Sequence, residues 1–306
     1  MSEKKSLLVD KSKMPLAMGL AFVAFTTQFG GGFASGAQIY QYFINYGIWC
    51  LILPLVTQGL YALFFWYGMR YAYKHKTYDY RSFSDSMYGK TRHVMSNLYE
   101  ICYLIMIGTA SAAAFATGGS TLQTLFGIPY WVCTLIIAAF IFFIALYGTN
   151  VVRKCASTLS VLIIIGLVLV LVPNIIAQWG DISANISASM ANPAPFGKAL
   201  WIGFVYAAFQ LASIGLLVQH AKPFASPDDA KTSMVQGFFV NVLICLMAVV
   251  GLMAIANDPN FATESIPLLI LVNRGVAPGV LRPIISILIV LGSVSTAVNM
   301  IAGMSN

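Results

Sequence analysis

Long apolar runs dominate this chain and restrict its fold before any motif is read. Runs from Leu16 to Phe43, Ile48 to Tyr71, Val94 to Phe126, Tyr130 to Tyr147, Ala156 to Ala177, Ala199 to Val218, Met234 to Ala256 and Leu281 to Met304 all lie near or beyond the ~20 residues that cross a ~30 Å hydrocarbon core. In hydrocarbon every backbone N–H and C=O needs a partner within the protein, so such runs fold as helices. The expected fold is an all-α polytopic membrane protein of eight spans, with residues 1–306 forming a single transmembrane domain. Only 9% of the residues are charged, against about 25% in an ordinary soluble domain, which excludes a soluble reading. The segment SIPLLILVN, Ser265 to Asn273, is too short to cross and reads as an interfacial or re-entrant helix. The third run exceeds one crossing and reads as a tilted helix.

Charge sets the orientation. The net charge is +7, yet the basic residues lie between apolar runs rather than among exposed aromatics, so nucleic acid is not an expected partner. With the amino terminus inside, the cytoplasmic segments hold Lys4, Lys5, Lys11, Lys13, Arg70, Lys74, Lys76, Arg81, Lys90, Arg92, Arg153, Lys154, Lys222 and Lys231. The external segments hold only Lys198, Arg274 and Arg282. This bias predicts a multi-pass protein of the cell membrane with a cytoplasmic amino terminus. The first apolar stretch runs well past the length of a signal-peptide core and leads into further spans, so it reads as a span. The loop KHKTYDYRSFSDSMYGKTR, Lys74 to Arg92, reads as an amphipathic surface helix. Cys50, Cys102, Cys133, Cys155 and Cys245 show no C-x-x-C spacing and read as small core residues, neither disulfides nor ligands.

One stretch contradicts the helical rule. TTQFGGGFASGAQIYQYF, Thr26 to Phe43, sets three consecutive glycines and then Gly36 inside the first run, at roughly 1 kcal/mol per glycine relative to alanine. Close helix packing would place small residues on one stripe, but Gly30, Gly31 and Gly32 point in three successive directions around an axis. A broken helix accounts for the run better. Freed amides at the start of the second half would face an anionic group, and freed carbonyls at the end of the first half would face a cation. The flanking Thr26, Thr27, Gln28, Ser35 and Gln38 suit a wet cavity at the break. Transporters built this way carry the break twice, at corresponding places of two inverted repeats. The sixth run, WIGFVYAAFQLASIGLLVQH, holds Gln210, Ser213 and Gly215 near its middle, five spans after the first.

These residues resemble a family. GGGFASGAQIYQYF is similar to the opening signature of YkvI-type bacterial membrane proteins of the amino acid, polyamine and organocation transporter superfamily. FVYAAFQ resembles that family's sixth-helix pattern, in which a tyrosine, here Tyr206, is followed by an asparagine where Gln210 stands. The resemblance implies a LeuT-like fold of five plus five inverted helices with broken first and sixth helices. Residues 16–177 would form the first repeat and 199–304 an incomplete second one, with the last two spans missing and the sequence truncated after Asn306. It implies solute contacts from Gly30, Gly31, Gly32, Phe33, Ser35, Tyr206, Gln210 and Ser213. In sodium-coupled relatives two adjacent hydroxyls of the eighth helix join carbonyls of the first-helix break, which corresponds here to Ser295 and Thr296 opposite Thr26 and Phe29. Other relatives place a lysine from the middle of the fifth helix there; the fifth run has none, and Lys154 lies at its cytoplasmic end, which favours sodium. Hydroxyls of an apolar helix also bond back to their own carbonyls.

Glu100 is the one carboxylate well inside a predicted span, and either an ion pair with a cytoplasmic base or proton coupling is open to it. His75, His93 and His220 fall near the interfaces, so no catalytic pair and no metal site assembles at membrane depth, and an enzyme is not expected. Without a P-loop, ATP-driven transport is not expected of this chain alone. The reading is a secondary transporter, a sodium symporter for a small polar or zwitterionic solute such as an amino acid. It needs no cofactor beyond the coupling ion, has membrane lipid as its other partner, and has an oligomeric state that the sequence leaves open. A proton-coupled transporter using Glu100, or a non-transporting sensor or assembly protein of the same fold, are the alternatives. The charge bias is testable directly: a reporter fused after Lys90 should lie in the cytoplasm and one fused after Ala184 outside, and the opposite pattern at both sites would end the span assignment.

Overall fold

The computed structural model describes residues 14–146 and 149–304, with side chains described over 16–143 and 158–300. Tyr147, where the fourth run was expected to end, lies outside the described residues, as do the side chains of Arg153, Lys154 and Cys155. All regular structure among the described residues is helical. The order is α1 (Met14–Gln28), α2 (Gly31–Ala34), α3 (Ala37–Tyr42), a 3-10 helix Ile44–Leu51, α4 (Leu53–His75), α5 (Tyr80–Tyr88), α6 (Arg92–Phe126), α7 (Tyr130–Leu146) and α8 (Thr149–Ala177). The second half has α9 (Trp179–Ala191), α10 (Phe196–Leu211), α11 (Ile214–Leu217), α12 (Asp228–Met253), α13 (Pro267–Arg274) and α14 (Pro278–Met304).

Every apolar run contains a helix, but not every run is one straight span. Among the described residues five helical stretches are long and apolar enough to cross alone, ending in α6, α8, α10–α11, α12 and α14, and the 3-10 helix with α4 makes a sixth bent by 75°. Leu16–Gln28 and Tyr130–Phe143 are shorter apolar helices. The bend was not expected from the second run. Gly47 takes φ 58°, and Pro54 sits in the first turn of α4, where its missing N–H costs nothing. The chain therefore turns before α4 starts.

The 35 residues of α6 extend about 52 Å, well beyond the hydrocarbon thickness. The excess falls largely at its start, where α5 packs against it. Asp79 caps α5 by accepting from Ser82 N at 2.7 Å, and Phe83 is buried edge-on to Tyr71. Helix α5 is thus the amphipathic surface helix expected of this loop.

Helix α1 packs on α8, α12 and α14; α14 packs on α6 and α8; α4 packs on α10 and α12. The buried core has one centre around Phe25, Phe29, Leu167, Leu252 and Leu268 and a second around Tyr61, Phe65, Tyr103 and Leu217. The short apolar segment forms α13, an eight-residue helix packed into the protein, with Leu268, Leu271 and Val272 fully buried. Its amide Leu268 N donates to Ser35 O at 3.0 Å, Gln178 Nε2 donates to Leu271 O at 3.1 Å, and Val276 N donates to Asn174 Oδ1 at 3.2 Å. These bonds tie α13 to the first helix and to α8.

Gly36 holds the turn between α2 and α3 at φ 90°, and a Cβ there would meet the Leu268 backbone amide at 3.3 Å. Left-handed backbone costs a residue with a Cβ roughly 1–2 kcal/mol. Gly36→Ala should therefore lower the melting temperature of the purified protein by several degrees; unfolding at the parent temperature would show that α13 and the turn move apart freely.

Candidate functional site

The first helix breaks at Gly30. Its backbone is extended (φ −83°, ψ −162°), and the carbonyl of Gly30 accepts from both Phe33 N and Ala34 N as α2 begins. The break is narrower than the glycine run suggests, because Gly31 and Gly32 already belong to α2. In a continuous helix the Thr26 carbonyl would accept from Gly30 N. Instead it accepts from the Thr296 hydroxyl of α14 at 2.9 Å. Asn299 Nδ2 donates to Thr26 Oγ1 at 3.2 Å and lies 3.4 Å from Thr27 Oγ1, so one face of α14 runs along the broken end.

The glycines also allow this approach. A Cβ on Gly30 would overlap Thr296 Oγ1, and one on Gly31 would overlap Ser293 Oγ, whereas one on Gly32 would meet only the Gln38 side chain at 3.1 Å. Close packing, set aside at the level of sequence, therefore explains Gly30 and Gly31 alongside the break. The three directions of the run are filled by three different neighbours.

A cavity of about 190 Å³ opens at the break. Gly30, Gly31 and Gly32 line it together with Gln28, Gln38 and Thr296. The opposite wall comes from Gln210 and Ser213 of the sixth run and from Met106, Thr109 and small residues of α6. Gln28 Nε2 and Gln38 Oε1 are buried without a hydrogen-bond partner. Gln28 is held from behind, where Asn241 Nδ2 of α12 donates to its Oε1 at 2.7 Å and approaches Gln58 Oε1 at 3.3 Å. Ser293 Oγ and Ser295 Oγ are likewise buried and unpaired.

The sixth run is interrupted more mildly. Helix α10 ends at Leu211 and α11 starts at Ile214, with Ala212 still near helical dihedrals and Ser213 at φ −75°, ψ 2°. Tyr99 of α6 spans the interruption, donating from Oη to Ala212 O at 3.2 Å and accepting from Gly215 N at 3.0 Å. Ser213 Oγ turns back onto Gln210 O at 2.6 Å.

Of the residues expected to touch solute, Gly30, Gly31, Gly32, Gln210 and Ser213 line the cavity, and Phe33, Ser35 and Tyr206 do not. The Phe33 ring stands edge-on to Phe29, which in turn packs on Phe25. Ser35 Oγ bonds to Gly32 O at 3.1 Å, and Tyr206 is fully buried against Tyr42 and Phe43. Helical direction explains all three: their side chains leave on the face away from the opening. Among the four expected cation ligands, the Thr26 carbonyl and the Thr296 hydroxyl meet directly and Ser295 is buried on the same stretch of α14, while Phe29, expected to contribute its carbonyl, packs its ring between Phe25 and Phe33. Glu100 is not at the cavity. Its carboxylate pairs with Arg81 of α5 and accepts from Tyr80 Oη at 3.2 Å, which is the ion-pair alternative.

Gln28 and Gln38 line the cavity as their place beside the break suggested, while Met106 and the Asn241–Gln58 support behind Gln28 were not foreseen. Polar side chains inside apolar runs were the available signal, and it does not say which of them converge.

This is an all-α polytopic membrane fold with a cavity at a helix break. The chain superposes on a glutamate-to-alanine variant of the manganese transporter of Eremococcus coleocola with a TM-score of 0.56 and 16% identity. A glutamate-to-glutamine variant gives 0.56 and a histidine-to-alanine variant 0.55, again at 16% identity. In each case 99% of this chain and 66% of the other are covered, so the chain spans just under two thirds of those transporters, and the likeness is one of fold. No protein-family model and no characterised protein sequence matches the chain.

The contacts of the glycines separate their roles. Gly31→Ala should melt markedly earlier, since overpacking against Ser293 costs roughly 1–3 kcal/mol, while Gly32→Ala should melt near the parent because the Gln38 side chain can swing aside. Thermal unfolding of both variants in detergent checks this, and equal melting temperatures would remove the packing role of Gly31.

Proposed function

We propose that this chain is a secondary transporter of the YkvI type, in the amino acid, polyamine and organocation superfamily. In this reading a sodium gradient drives symport of a small polar or zwitterionic solute such as an amino acid. The observation that carries the proposal is the cavity at Gly30: the glycine run, three glutamine side chains and four hydroxyl residues, Thr27, Thr109, Ser213 and Thr296, converge on about 190 Å³ inside an apolar bundle. Burying unpaired amides in such surroundings costs free energy, which a hydrogen-bonding solute would recover. Gly30, Gly31, Gly32, Gln210 and Ser213 are its solute contacts, joined by Gln28 and Gln38.

The coupling cation would sit between the Thr26 carbonyl and the hydroxyls of Thr296 and Ser295, with the Phe29 carbonyl completing the set. Neutral oxygens of this kind suit a monovalent ion. The solved neighbours are named as manganese transporters, but here the cavity offers amides, hydroxyls and thioethers. Among the described residues no three His, Cys, Asp or Glu side chains come together. A hard divalent ion favours carboxylate oxygens, so an organic solute fits this lining better. The ion pair of Glu100 with Arg81 takes support from the proton-coupled alternative. The distribution of lysine and arginine supports a cell-membrane protein with its amino terminus inside. Residues 16–177 and 199–304 would belong to the two inverted repeats.

Sodium should raise the melting temperature of the purified protein, by the equivalent of about 2.7 kcal/mol at a hundredfold excess over Kd, and the Ser295→Ala/Thr296→Ala variant should lose that response. With sodium present, a screen of amino acids should yield further stabilisation, and proteoliposome uptake separates transport from mere sensing. Equal stabilisation by potassium, or stabilisation by manganese alone, would defeat the sodium and organic-solute assignments respectively.

A further inference from the structure

A second opening lies away from the break, on the outer face of α4 and α12. It encloses about 450 Å³ and is lined by Gly59, Leu63 and Trp66 from α4 and by Lys231, Val235 and Phe238 from α12. On each helix the lining residues recur at spacings of three and four, so each contributes one stripe. The two helices run antiparallel here. The start of α12 meets the end of α4, where Tyr73 Oη donates to Ala225 O at 3.1 Å, and deeper in, a Cβ on Gly59 would lie 3.8 Å from Phe238.

The charge in this groove is confined to one end. Lys231 lines that end, and Arg70, one turn beyond Trp66, lies 5.7 Å from the centre of the indole ring. Asp229, two residues from Lys231, is turned away, with Oδ2 accepting from Ala225 N at 2.7 Å. From Trp66 back to Gly59 and from Lys231 on to Phe239 the walls continue for about 10–12 Å without another charge. Leu63 and Phe239, 55% and 66% exposed, form the open rim, which faces the surroundings of a membrane-spanning helix pair.

We propose that this groove is a binding site for one anionic phospholipid, its phosphate held between Lys231 and Arg70 and one acyl chain laid along the α4–α12 furrow. The occupant is chosen by asymmetry: it must be anionic at one end and apolar over the remaining length. A second copy of this chain would bring a helix face, and nothing in the furrow pairs with the polar groups of one. Basic positions between membrane helices on the side rich in lysine and arginine are where anionic headgroups bind. The proposal stands independently of the solute and the coupling ion.

The test uses the purified full chain and phosphatidylglycerol against phosphatidylcholine of the same acyl composition, read by native mass spectrometry and by thermal stabilisation. The parent should retain phosphatidylglycerol in preference. Lys231→Gln/Arg70→Gln should weaken that retention about 30-fold, the combined worth of two basic residues, and leave phosphatidylcholine unchanged. Gly59→Leu, which fills the furrow from a position in ordinary contact with Phe238 alone, should abolish retention of phosphatidylglycerol while lipid-free protein melts no earlier than the parent. The proposal is overturned if the double variant keeps the parent's preference, if Gly59→Leu binds phosphatidylglycerol as before, or if cross-linking through the Phe239 position shows the groove covered by another copy of the chain.

Discussion

A backbone carbonyl that loses its helical partner inside an apolar bundle must find another donor, and two such carbonyls organise this structure. Thr26 O takes the Thr296 hydroxyl from α14, and Ser35 O takes the Leu268 amide from α13. Leaving either buried and unpaired would cost roughly 1–3 kcal/mol. The first bond draws α14 against the broken end so closely that Gly30 and Gly31 admit no side chain. The second bond holds the eight-residue α13 in the core, where Gln178, just past α8, bonds Leu271 O and Asn174 bonds Val276 N beyond its end. The break is therefore less a gap in one helix than a junction of three.

The junction leaves space on its remaining side, and the character of that space follows from what was used elsewhere. Carbonyl oxygens are occupied by α13 and α14, so the cavity receives the amide side chains of Gln28, Gln38 and Gln210 and the start of α2. Asn241 and Gln58 stand behind Gln28 and fix its orientation from α12 and α4. The lining mixes amide and hydroxyl groups with a larger apolar surface and holds no ionised side chain. Glu100, the carboxylate expected inside a span, is committed to the α5–α6 contact, where Arg81 neutralises it beside Tyr80.

Much of this was legible in the residues, and the parts that were not share a cause. The broken first helix was visible because three glycines and flanking polar groups violate helical preference locally, and local violations survive in one dimension. Phe33, Ser35 and Tyr206 leave on other faces because a helix turns 100° per residue, and the phase of α2 after the break depends on the dihedrals of Gly30, while that of α10 depends on how the helix packs. The bend before α4 was hidden because Gly47 and Pro54 are individually common at the edges of spans.

The sequence alone determined the class: apolar runs of this length fold as membrane helices, and its glycine run points to a break in the first of them. The tertiary structure decided which groups repair the interruption. Thr296, Leu268, Asn241 and Tyr99 each lie more than a hundred residues from the groups they bond, and no local pattern ties Thr296 to Thr26 across 270 positions. Pairing over such separations is set by how whole helices pack, because the energy that selects it belongs to contacts formed only when the bundle is assembled.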